Sequence, residues 1–279
     1  MTNKTEMKNG RSHNNGRAHI AAAFARAQQT QTAALMPYFT LGFPDRATSL
    51  DVVEAIAPYS DLIELGVPFS DPLADGPTIQ RSTQIALENG ATTADCLAMV
   101  RELRQRGVDR PFMLMGYYNP ILAYGIENYV RDAATAGADG FIVPDLPPEE
   151  ADELEKAASQ AGLVLVHFLA ATSNPQRIAH VAARAQGFIY LVSLTGVTGA
   201  RSQVQADLGE FVARVRAQTS APLAVGFGIG TPEQAAKVGA LADGVIVGSA
   251  LIHVADKARS KAEAAGEFVA SLQAGLRKE

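Results

Sequence analysis

Residues 61–77 read Asp61-Leu-Ile-Glu-Leu-Gly-Val67 followed by Pro68-Phe-Ser-Asp-Pro-Leu-Ala-Asp-Gly-Pro77. The first run is apolar at consecutive positions except for Asp61 and Glu64, the pattern of a parallel strand covered on both faces rather than of a half-exposed, alternating one. The second run is made of turn formers, so the strand ends abruptly in a loop. From Thr78 to Gly107 the spacing becomes helical, with a break near Asn89 and Gly90. One strand followed by two helices is the reading of this interval, and one of those helices is extra to a simple strand-helix unit.

The same theme recurs on both sides. Short apolar runs ending in Gly, Pro or Asp occur at Met36 to Gly42, Leu62 to Val67, Phe112 to Tyr117, Gly140 to Val143, Leu163 to Ala170, Phe188 to Val192, Leu223 to Phe227 and Val245 to Val247. The segments between them are long enough for crossover helices, which parallel strands require. Helix starts are marked by Asp45, by Pro147-Pro148-Glu149-Glu150, by Asn174-Pro175 and by Thr231-Pro232-Glu233, each a capping residue or a Pro-acid first turn. Eight such units in about 260 residues fit an α/β fold of the (β/α)8 TIM barrel type, and periodicity alone leaves an open doubly wound sheet as the alternative. In both, function sits at the carboxyl ends of the strands.

Residues 1–17, rich in Asn and Gly and without apolar periodicity, are expected to form a disordered tail, and 18–279 the catalytic barrel domain. The spacing Ile20, Phe24, Ala27 predicts an extra N-terminal helix with one apolar stripe, placed to close the bottom of the barrel. The chain has 279 residues, 47% hydrophobic and 19% charged, with a net charge of −5. It carries no basic run able to track a phosphate backbone, which argues against nucleic acid. No apolar stretch reaches the roughly 18 residues of a membrane span. Cys96 is the single cysteine, which fits a reducing cytoplasm.

Glu64 lies among apolar neighbours. Burial raises a carboxyl pKa and suits the group to hold and donate a proton near neutrality, while the alternative is a buried glutamate paired with Arg or Lys. Asp71 and Asp75 stand before Pro and Gly, as turn and cap residues do, yet Asp75 follows the strand of Glu64 closely enough to face the same pocket from a wetter position. Three glycine turns follow the last three apolar runs: Gly196-Val-Thr-Gly199, Gly226-Phe-Gly-Ile-Gly230 and Gly248-Ser249. Their recurrence suggests a phosphate cradle, because a barrel gathers those loops. No Gly-Lys step or dinucleotide spacing occurs, so the phosphate belongs to a small substrate. The lysines fall in the tail or in helices, which removes Schiff-base chemistry. The five histidines lack metal-ligand spacing, and His167 reads as a satisfied core residue. Tyr190, Tyr117 and Tyr118 are candidates for a hydroxyl or an aromatic wall.

Four segments carry a resemblance: Pro37-Tyr-Phe-Thr-Leu-Gly42, Leu62 through Gln80, Tyr190-Leu-Val-Ser193 with Gly196-Val-Thr-Gly199, and Gly226-Phe-Gly-Ile-Gly230. From about Ile20 onward the chain resembles the tryptophan synthase alpha chain family. The resemblance implies a TIM barrel lyase that cleaves indole-3-glycerol phosphate to indole and glyceraldehyde 3-phosphate without a cofactor of its own. It places the acid/base glutamate at Glu64, the aspartate contacting the indole N–H at Asp75 and a tyrosine near the reacting carbons at Tyr190. Phosphate contacts fall on Gly199, Gly228, Gly248 and Ser249, and Tyr38 and Tyr117 line the indole pocket. It further implies an αββα heterotetramer with a beta chain that holds pyridoxal phosphate and receives indole through a tunnel. Loop 68–75 and Tyr118-Asn119-Pro120 would lie near that partner, and residues 196–201 would form a lid. Two departures stand out, Tyr38 where some relatives carry Phe and Leu194 where others are basic. Competing expectations are a related phosphate-binding barrel, such as indoleglycerol-phosphate synthase or a phosphosugar isomerase, and a non-catalytic subunit that keeps the surface but not turnover.

Overall fold

The computed structural model describes residues 15–192, 201–226 and 228–277. Eight strands, β1 (Ala34–Thr40), β2 (Ile63–Gly66), β3 (Phe112–Met115), β4 (Gly140–Ile142), β5 (Val164–Ala170), β6 (Ile189–Val192), β7 (Leu223–Gly226) and β8 (Gly244–Val247), pair in chain order into a closed parallel barrel, β8 returning to β1. Closure is the feature periodicity left open, and it removes the open-sheet alternative. Every strand matches one of the apolar runs to within two residues. β1 starts at Ala34, ahead of Met36, because the Ala34 amide donates to the Asp243 carbonyl at 2.8 Å.

Alternation within each strand separates two cores. Ala34, Met36, Met113, Ile142, Val164, Val166, Phe188, Ala224 and Ile246 fill the barrel interior, while the intervening residues, such as Leu35, Ile63, Leu65, Phe141 and Val245, pack outward against the helices. The helix α1 (Gly16–Gln29) closes the lower end as its apolar stripe foretold: Ile20, Phe24 and Ala27 join the interior cluster, and the Phe24 ring lies 5.8 Å from that of Phe188. Asn15, Gly16 and Arg17, expected in the tail, are instead part of this helix and its cap. Asn15 accepts the Ala18 amide at 3.0 Å, and the Gly16 amide donates to the Gly162 carbonyl at 2.8 Å. Residues 1–14 lie outside the described residues.

Beneath β3 and β4, buried Asp139 ties this end together. It accepts from Arg104 at 2.8 Å and from the Phe112 amide at 2.9 Å, and it pairs with His19 of α1 at 2.8 Å. The helices following the strands are α2 (Arg46–Ile56), α3 (Pro77–Glu88) with α4 (Thr93–Gln105), α5 (Tyr118–Tyr124) with α6 (Ile126–Ala136), α7 (Asp152–Gln160), α8 (Pro175–Arg184), α9 (Arg201–Arg216), α10 (Pro232–Gly239), and α11 (Ser249–Lys257) with α12 (Lys261–Leu276). The second helix after β2 is as expected. The short α5 was not anticipated, because Pro120 lies within it and Gly125, at φ 88°, breaks it from α6. Asp45, Asn174 and Thr231 cap α2, α8 and α10 with their side chains.

Candidate active site

Glu64 points into the barrel from β2, level with Tyr38 on β1 and Met113 on β3. It is fully buried, and neither carboxyl oxygen has a hydrogen-bond partner among the described residues. Among the described residues no cation pairs with it, so the ion-paired alternative finds no support there. Burial alone pushes its pKa up from 4.5 to about 8, which leaves the group mostly neutral at pH 7. A buried carboxyl without protein partners is costly, and such a group is a candidate for function rather than for packing.

Two tyrosines flank it. The Tyr38 hydroxyl lies 3.3 Å from Thr40 Oγ1, which lies 2.7 Å from Ser82 Oγ, and Ser82 donates to the Ile79 carbonyl at 2.8 Å. Each hydroxyl has one proton. Ser82 spends its own on Ile79, so Thr40 donates to Ser82 and Tyr38 donates to Thr40. Tyr190 stacks on Phe168 with ring centres 4.7 Å apart. Burial raises its pKa far above the usual value, and the charges of Glu64 and Asp75 raise it further, so the phenol keeps its proton. Both rings lean over strand-end glycines. A Cβ on Gly66 would sit 2.1 Å from the Tyr38 hydroxyl oxygen, and one on Gly226 would sit 2.4 Å from that of Tyr190. No other residue type leaves room for these rings.

Asp75 reaches the same cluster from the loop after β2, its charge acting on Tyr38, Tyr117 and Tyr190. Its carboxylate does not cap the next helix: α3 begins at Pro77, and the cap position is Gly76, with no side-chain cap. Instead the Tyr117 hydroxyl donates to Asp75 Oδ2 at 3.0 Å while accepting the Ala74 amide at 3.0 Å. Burial raises the Asp75 pKa and the Tyr117 bond opposes the rise. Asp71 is a loop residue, bonded at 2.6 Å by its neighbour Ser70.

At the other side of the mouth, α11 starts at Ser249 behind Gly248, with no side chain capping its first amides. Such an end attracts anions. Exposed Gly228, at φ 77°, stands in the loop after β7, whereas the Gly230 amide is taken by Gln234 at 2.8 Å. Gly248 approaches the Tyr38 ring, where an added Cβ would meet Cδ1 at 3.4 Å. Glu64, Asp75, Tyr38, Tyr117, Tyr190, Gly228, Gly248 and Ser249 thus all belong to the mouth end of the barrel or its loops. Gly199, Leu194 and residues 196–200 of the expected lid lie outside the described residues. Thr40 and Ser82 were missed by sequence reasoning. Thr40 was visible beside Tyr38, but nothing in a helical serine signals that it ends a hydroxyl chain.

His167 faces outward and is buried, 3.4 Å from Glu155 of α7, with burial lowering its pKa; it is a core residue as expected but not a satisfied one, since its Nε2 makes no hydrogen bond among the described residues. It takes no part in the mouth. Among the described residues no group of three or more His, Cys, Asp or Glu side chains is arranged to hold a metal ion.

The family model described as tryptophan synthase alpha chain matches residues 24–278. The tryptophan synthase alpha chain of Chloroflexus aurantiacus is 56% identical over 236 residues, 84% of this chain and 89% of the relative. That of Roseiflexus castenholzii is 50% identical over 254 residues, 91% and 95% of the two chains. Among solved structures, tryptophan synthase subunit alpha of Legionella pneumophila superposes with a TM-score of 0.86 at 36% identity, covering 92% of this chain and 98% of that one. A chain of Mycobacterium tuberculosis tryptophan synthase gives 0.85 at 38%, covering 93% and 98%. A family match over most of the length, together with a closed barrel that carries Glu64, Asp75 and Tyr190 at its mouth, establishes that this chain belongs to the tryptophan synthase alpha chain family.

Proposed function

We propose that the chain is the lyase subunit of a tryptophan synthase, cleaving indole-3-glycerol phosphate to indole and glyceraldehyde 3-phosphate by a retro-aldol reaction. The observation that carries this reading is the Glu64 carboxyl, buried, without a protein partner, and biased toward its neutral form at the centre of the mouth.

Breaking the bond between indole C3 and the side chain needs a proton on C3 and loss of the proton from the adjacent hydroxyl. Neutral Glu64 donates the first. Its carboxylate then accepts the second, so the protons balance over one turnover and the acid is restored. The C3–C1′ electron pair becomes the indole double bond as C1′ becomes the aldehyde. Positive charge grows on the indole nitrogen once C3 is protonated, and the Asp75 carboxylate, held by Tyr117, stabilises it from a fixed position. Tyr190 stays protonated and offers a donor toward the glycerol oxygens. Tyr38 and Tyr117 flank the ring, and the amides near Gly228, Gly248, Ser249 and Gly199 grip the phosphate, turning binding energy into orientation.

The same reading gives the chain no cofactor and a beta chain as partner in an αββα assembly, the pyridoxal phosphate residing in that partner and indole passing to it. The similarity to chains of Mycobacterium tuberculosis tryptophan synthase supports a partner. So do two exposed apolar side chains beside the mouth, Leu73 in the Asp75 loop and Leu122 in α5. No helix among the described residues is long and apolar enough to cross a membrane, and a cytoplasmic location belongs to the proposal. The deciding assay is indole release from indole-3-glycerol phosphate with and without a beta chain. Slow release alone and faster release in the complex is expected. No release in either condition would favour the non-catalytic subunit.

A further inference from the structure

The end of the barrel opposite the mouth holds a second site. A cavity of about 460 Å³ opens there, lined by Arg26 from the last turn of α1, Arg110 ahead of β3 and Arg277 after α12, with Asp61, Gln31 and Gln273. Asp61 precedes β2 and its Oδ2 accepts the Leu35 amide of β1 at 2.9 Å, which fixes the cavity at the amino ends of the strands. Arg110 is half-buried and held rigid: Nε donates to the Ala57 carbonyl at 3.1 Å and Nη2 to that of Pro58 at 3.4 Å. Its Nη1 makes no hydrogen bond among the described residues. None of the three guanidiniums forms an ion pair among the described residues. Burial raises the pKa of Asp61, outweighing the Leu35 amide bond and the smaller effects of Arg110 and Arg26. Gln31, on the wall, holds φ at 55°, a region that side-chain-bearing residues seldom occupy.

Three cations against one carboxylate leave a surplus of two positive charges in a concave space, where the field concentrates. Guanidiniums match planar or tetrahedral oxyanions by paired N–H groups, and the volume lies in the range of small-molecule sites. We propose that this cavity binds a compact dianion, a phosphate group or a dicarboxylate, at the far end of the barrel from the mouth.

The test is calorimetric titration with inorganic phosphate and, separately, succinate. Because phosphate also suits the α11 end at the mouth, the measurement is made on Ser249→Asp, whose new carboxylate repels anions there. One binding event near 1:1 with either probe is expected to remain, and the tighter probe identifies the chemistry. Adding Arg26→Gln and Arg277→Gln, both exposed positions, should weaken it at least tenfold with the unfolding temperature of the unliganded protein unchanged. Absence of binding by both probes in Ser249→Asp, or unchanged binding after the two arginine substitutions, overturns the proposal. Indole release is not read, so failure of the lyase assignment leaves this result interpretable.

Discussion

Replacing Glu64 by Gln separates the proposed chemistry from the cost of burying its charge. The folded pKa of about 8 against an ordinary 4.5 means that the unfolded chain releases a proton which the folded chain keeps. Below pH 4.5 both states are protonated and burial of Glu64 carries no ionisation penalty. Between 4.5 and 8 the penalty grows by about 1.4 kcal/mol per pH unit, and above 8 it levels off at roughly 4 to 5 kcal/mol. Gln is uncharged throughout. Its buried amide costs on the order of 1–3 kcal/mol if unbonded, but that offset does not vary with pH. Urea unfolding at pH 5, 7 and 9 should therefore show the stability of E64Q relative to the parent rising from pH 5 to 8 and then holding level. Indole release should fall by at least about 10² to 10⁴, the usual share of a general acid, and release by the parent should decline above about pH 8 as the acid ionises. A stability difference that is flat across this range would refute the buried, neutral carboxyl, and unchanged indole release would remove Glu64 from proton transfer.

Three further outcomes follow from the geometry. Asp75→Asn should cut turnover while changing urea stability by under about 1 kcal/mol, since Asp75 caps no helix; a larger stability loss would return it to a structural role. Gly66→Ala drives a methyl into the Tyr38 hydroxyl, which packing holds in place, and overpacking of this kind costs about 1–3 kcal/mol, measured as a lowered urea midpoint together with reduced indole release. Asp139→Ala removes the carboxylate that accepts from Arg104 and the Phe112 amide under the barrel, while Arg104 keeps the Gly137, Val108 and Arg110 carbonyls; a loss of about 1–3 kcal/mol is expected by denaturant titration, with an unaltered KM in the folded protein.

The strand and helix order could be read from the chain because each unit repeats a local signal: an apolar run, a glycine or proline stop, then a capped amphipathic segment. Glu64 was legible for the same reason, as a lone carboxylate inside such a run. The misplaced features are those in which local pattern loses to long-range contact. Asn15 to Arg17 look like tail, yet the helix they open is held by Gly162 and by Asp139, whose partner His19 lies 120 positions earlier. The α5 helix hides behind Pro120, and the Tyr38 to Thr40 to Ser82 chain joins residues 42 or more positions apart.

Sequence alone thus determined that eight parallel strands alternate with helices and which acid would be deprived of water, since burial pattern and residue type are one-dimensional facts. Tertiary structure alone decided that the sheet closes, that Glu64 has no cation beside it among the described residues, that Tyr117 rather than a helix end holds Asp75, and that three arginines line one cavity beneath the barrel. Each of these depends on the distance between groups far apart in the chain, and charge pairing, hydrogen bonding and the protonation they control all fall off over a few ångströms.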